Sequence, residues 1–173
     1  MLNKILLFLW VASVICVIVI FQTVLQKILD IRGIFPDLLL VFVVYSALNK
    51  GIEVGMVTGF FCGSIIDSLS LSPAGLNMLS MLMLGYFVGV LREKIYKDKP
   101  FNQILIVIIS TIVYGLIITI FIKVFHSSNR NILNFLTIGI PEAIYNGAIT
   151  LPVFYLLDKI LPWKRFKPTI YGY

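Results

Sequence analysis

Charge is what this chain lacks most. Asp, Glu, Lys and Arg make up 13% of its 173 residues, against roughly 25% in soluble globular domains. Hydrophobic residues make up 60% and the mean hydropathy is +1.02. A soluble fold of this size leaves much of its surface in water and cannot hide so much apolar area. The composition therefore excludes a soluble domain and predicts an integral membrane protein.

Chemistry-bearing residues are equally sparse. The sequence holds one histidine, His126, and two cysteines, Cys16 and Cys62. One histidine builds neither a typical zinc site nor the Ser–His pair of an intramembrane serine protease. Both cysteines fall in apolar runs, where they read as small packing residues without a disulfide framework. His126, beside Ser127, Ser128 and Asn129, reads as a solvated loop residue. HExxH, P-loop, GxSxG and paired acidic motifs are all missing, so catalysis, a metal and a cofactor are not expected. The net charge of +6 comes from short basic runs rather than one broad face. It therefore suits anionic lipid and membrane topology, and nucleic-acid binding is not expected.

What the sequence does have is long apolar runs. A helical span needs about 20 such residues. Six helices are predicted, at 5–25, 36–49, 52–71, 75–91, 101–125 and 141–161, within a single membrane domain over 1–173. The runs are continuous and do not alternate as β-barrel strands do. The first continues into Gln22, Thr23 and Gln26 without a small-x-small site, so a retained helix is expected rather than a cleaved signal. With the N-terminus inside, ten Lys and Arg fall on the cytoplasmic side and four outside. Both termini are thus predicted in the cytoplasm.

Polar residues inside these runs carry the functional signal. Asp67 lies near the outer end of the third helix, where its charge opposes the helix dipole. Asp37 after Pro36 and Glu142 after Pro141 read as helix starts from the outer side, with proline at the first helical position. Asn77 and Asn146 are near enough in the pattern to complete an outer polar cluster of Asp37, Asp67, Asn77, Glu142 and Asn146. Beneath it, Gly51, Gly55, Gly59 and Gly63 recur every fourth residue, and Gly85 and Gly89 repeat the motif. Such small-xxx-small ridges admit a helix backbone to backbone. The ridge is expected to pack within the chain or to form a groove for a partner helix. Pro152 is expected to kink the last helix, with Thr150 or a neighbour satisfying the freed carbonyl near Ala148.

Three stretches carry a family resemblance. FPDLLLVFVVYSAL at 35–48, GMVTGFFCGSIIDSLSLSPAGLNMLSMLMLGYFVG at 55–89 and PEAIYNGAITLPVFYLLDKIL at 141–161 resemble the rod-shape-determining membrane protein family MreD. The resemblance implies a non-enzymatic subunit of the bacterial cell-elongation machinery in the cytoplasmic membrane. Its implied partners are an MreC-like single-span protein, the filament protein MreB, the synthase RodA and a class B penicillin-binding transpeptidase. It also implies a fold similar to the substrate-binding S-components of energy-coupling-factor transporters. The alternative is then an S-component-like protein binding a small molecule at its outer face for uptake. The basic runs at 92–99 and 163–167 are expected to meet anionic lipid or MreB.

Overall fold

The computed structural model describes residues 13–24, 34–70, 75–92, 99–126 and 135–161. Among them the chain is all-α, with six helices: α1 (Ser13–Val24), α2 (Leu38–Lys50), α3 (Ile52–Leu69), α4 (Leu76–Leu91), α5 (Pro100–His126) and α6 (Ile140–Ile160). A single π-helical turn, Phe135–Gly139, leads into α6. Three stretches, Ile52–Leu69, Pro100–Val124 and Thr137–Ile160, are long and apolar enough to cross a membrane. Most of the basic runs at 92–99 and 163–167 lies outside the described residues.

The centre of the bundle is a short helix, α2. At 13 residues α2 spans only about 20 Å, less than the roughly 30 Å of a bilayer core. Every residue from Leu38 to Leu48 is buried. A helix that is apolar on all sides belongs to an interior, and α2 touches α3, α4, α5 and α6. Val14 and Ile15 of α1 join the same core.

Its ends are fixed by two sequence features. Asp37 is the N-cap residue, extended at φ −94° and ψ 91°, and its carboxylate accepts the Leu40 amide at 3.1 Å. Pro36 therefore precedes the helix instead of opening it, because the capping geometry needs a short acceptor outside the first turn. At the other end Gly51, at φ +90°, donates its amide to the Ala47 carbonyl at 2.9 Å and also starts α3. A side chain there would be strained and would meet the Arg92 guanidinium at 2.7 Å. Gly51 thus makes the α2–α3 joint and is not part of the helix-packing ridge expected from its spacing.

The rest of the glycine ladder is occupied by the chain itself. Gly55 faces Gly85, Gly59 faces the Met81 carbonyl, Gly63 faces Asn77 and Met78, and Gly89 faces Ile52. A β-carbon on any of these would fall under 3.0 Å from backbone atoms of the other helix. Gly55 also meets Ala47 of α2. Of the two alternatives for Gly55, Gly59 and Gly63, packing within the chain or a groove for a partner helix, the structure has the first. α4 fills that groove, because in lipid close van der Waals packing is the main attraction between helices.

Five hydroxyls inside the bundle are satisfied locally. Ser46, Thr58, Ser80, Thr111 and Thr150 each donate to the carbonyl four residues back, on Phe42, Val54, Leu76, Val107 and Asn146. This removes the cost of an unpaired donor in a medium without water. α6 stays helical across Pro152, and the Thr150 hydroxyl goes to Asn146 rather than to the expected Ala148 carbonyl. α5 extends through His126, which therefore ends a helix instead of lying in a loop.

The seam makes a graded prediction. Gly59→Ala is expected to cost about 2–3 kcal/mol, because rigid backbone must move. Gly147→Ala is expected to cost less, since its added carbon meets side chains and no backbone of the neighbouring helix: Ile108 at 2.8 Å and Ile104 at 3.4 Å. Thermal unfolding of both variants in lipid nanodiscs measures the order, and an equal loss would contradict a backbone-tight seam.

Candidate functional site

The polar residues expected to cluster settle into two hydrogen-bonded groups. The first is built on Asp67, in the last turn of α3. Its Oδ2 accepts the amides of Gly75 at 3.1 Å and Met78 at 2.9 Å. Its Oδ1 accepts the Asn77 amide at 3.1 Å and the Asn77 side-chain Nδ2 at 2.9 Å. The first amides of a helix have no partner within it, and the helix dipole favours an anion there. Gly75, the N-cap of α4, has no side chain to supply one and sits at φ +91°. Asp67 supplies it from the neighbouring helix. The charge that opposes the dipole of α3 thus serves the dipole of α4.

Asn77 extends this group inward. Its Oδ1 accepts the Tyr114 hydroxyl of α5 at 2.7 Å, with Asn77 and Tyr114 both buried. Three helices are joined by one polar chain in which each group has a partner. Such chains are worth more together than as separate pairs.

The second group surrounds Asn146 of α6, which is fully buried. Its Oδ1 accepts the Asp37 amide at 2.8 Å, and its Nδ2 donates to Thr111 Oγ1 at 3.1 Å. Gln22 of α1 adds a further tie, its Oε1 accepting the Leu39 amide at 3.2 Å. The beginning of α2 is thereby held by α1 and α6 at once.

Between the groups lies a cavity of about 330 Å³, lined by Val19, Gln22, Thr23, Phe35, Asp37, Leu39, Ile66, Leu69, Ser70, Tyr114 and Glu142. Tyr114 belongs to both the first group and this wall. Glu142 enters no hydrogen bond or ion pair among the described residues and reaches the others only as part of the wall. Of the five expected cluster residues, Asp67 pairs with Asn77 and Asp37 with Asn146, while Glu142 shares the cavity with Asp37. At the opposite end of α2 the Tyr45 hydroxyl donates to Asp158 Oδ1 at 2.8 Å, its ring 5.1 Å from that of Phe154.

Three participants were not singled out from the sequence: Tyr114, Thr111 and Gln22. Tyr114 carried the clearest signal, a phenol in the middle of an apolar span, where the hydroxyl requires a partner. No group of three or more His, Cys, Asp or Glu is placed to hold a metal among the described residues.

An all-helical membrane protein, with its polar side chains spent on joining helices and two carboxyls on a cavity, is the class these features define. A family model described as rod shape-determining protein MreD matches residues 3–161, and the chain belongs to that family. No curated protein and no solved structure matches it. The likeness to S-components therefore rests on the sequence resemblance alone.

Removing the carboxylate should unpin α4. Asp67→Ala leaves three amides without their acceptor and is expected to cost about 2 kcal/mol, whereas Tyr114→Phe loses one hydrogen bond and about 1 kcal/mol. Unfolding midpoints in nanodiscs provide the check, and a Tyr114→Phe loss exceeding that of Asp67→Ala would contradict the assigned roles.

Proposed function

We propose that this chain is a non-enzymatic membrane subunit of the bacterial cell-elongation machinery. In this reading it crosses the cytoplasmic membrane six times with both termini inside, docks an MreC-like single-span partner and supports peptidoglycan synthesis and rod shape. The observation that carries it is the family match over residues 3–161. The helix pair α3–α4 supports it physically. Its inner side is sealed by glycine, so the pair is stiff, and each helix presents an exposed edge-to-face aromatic pair: Phe60 with Phe61 and Tyr86 with Phe87. Rigid aromatic groups bury large area at little entropic cost. A partner span lying along this outer side reaches them without opening the seam. MreB, RodA and a class B penicillin-binding transpeptidase would join through that partner, with the basic runs held by anionic lipid.

The cavity favours a second reading, uptake of a small molecule bound at the outer face, as S-components perform. The two readings differ in what accompanies the chain. Affinity purification from native membranes followed by mass spectrometry is expected to recover a single-span coiled-coil protein and wall synthases. Recovery of paired ATPases with a coupling membrane subunit would overturn the elongation reading. Replacing Tyr86 and Phe87 together by Ala should leave the fold intact and lower partner recovery roughly tenfold, the effect of about 1.4 kcal/mol. Full recovery with normal cell shape would remove this face from the docking surface.

A further inference from the structure

The cavity differs from the other polar features in what it leaves unanswered. Asp67 is fully engaged by the amides of α4 and by Asn77. Asn146, Asn77 and Tyr114 each have protein partners. The Glu142 carboxyl faces the same space as Asp37, yet has no hydrogen bond or ion pair among the described residues. The eleven lining residues among those described include no Lys, Arg or His, although the chain carries 14 Lys and Arg against 8 Asp and Glu. Carboxyls in a low-dielectric wall require a compensating cation or donor.

The rest of the wall narrows the choice. Val19, Phe35, Leu39, Ile66 and Leu69 are apolar, while Gln22, Thr23, Ser70 and Tyr114 add neutral polar groups. A hard divalent ion takes six or more oxygens, and no cluster of three acidic or metal-ligating residues is present among the described residues. Apolar walls with a few placed acceptors are the composition of an organic-ligand pocket, and about 330 Å³ lies within its usual size.

We propose that this cavity binds an organic ammonium group, its charge met by Glu142 and Asp37 and its carbon portion by the apolar wall. The group is the amine of a phospholipid head or a soluble alkylamine, since both present the same chemistry. Binding ties α1, α2, α3, α5 and α6 together at one end of the bundle, since each contributes to the wall. The inference is independent of whether the chain docks a partner or serves uptake.

The test uses the full chain in phosphatidylglycerol nanodiscs, with phenethylammonium, neutral 2-phenylethanol and anionic 3-phenylpropanoate as probes. Phenethylammonium alone is expected to raise the unfolding midpoint. Glu142→Gln should weaken its apparent binding about tenfold, the loss of one charge-assisted contact. Ile66→Phe, which fills space without changing charge, should weaken it as well, so the inference does not hang on one variant. Native mass spectrometry from mixed nanodiscs then separates the sources. Retained phosphatidylethanolamine identifies a lipid head, and an amine response without it identifies a soluble ligand. Equal stabilisation by 2-phenylethanol, or an ammonium effect unchanged in both variants, would overturn the proposal.

Discussion

The backbone of α3 lies directly on the backbone of α4, and the rest of the bundle is arranged around that contact. Lipid supplies no hydrophobic force between helices, so attraction depends on how closely atoms approach. Gly55, Gly59 and Gly63 on one side, with Gly85 and Gly89 on the other, remove the side chains that would hold the helices apart. Asp67 then fixes the register at one end by accepting the first amides of α4. A slip of the seam would leave those amides unpaired in a medium without water, so packing and polar satisfaction enforce the same geometry.

From this pair, order passes to the other helices through a few buried polar groups. Asn77 hands the Asp67 network to Tyr114 on α5, while Asn146 binds the start of α2 to α5 and α6. α2 itself contributes bulk, buried from Leu38 to Leu48. One end of the bundle is thus held by hydrogen bonds around a cavity and its centre by apolar packing. The opposite end is tied by Tyr45 and Asp158.

Much of this was legible in the sequence, and the failures have physical causes. Continuous apolar runs gave the helices, and the four-residue glycine period identified the close-packed face of α3. Spacing alone did not say which helix fills that face, because α4 and a foreign span present the same backbone. Gly51 fitted the period yet serves a left-handed joint, a distinction that depends on φ. Asp67 is anomalous only against the dipole of its own helix. Its partner begins eight residues later, at Gly75, beyond a stretch whose path the sequence does not dictate. Glu142 and Asp37 were readable as helix starts, but the cavity they share is a product of tertiary packing. Tyr114 is legible on chemical grounds alone, since a phenol within an apolar span requires an acceptor.

The most direct test concerns the seam. A photoreactive side chain placed at Met81, which is fully buried against Gly59, and another at exposed Phe87 would be activated in native membranes. A sealed α3–α4 pair predicts that the probe at 81 yields only products within the chain, whereas the probe at 87 reaches lipid or another protein. A second protein captured from position 81 would mean that the glycine ladder opens to a partner, and the architecture described for α3 and α4 would be wrong.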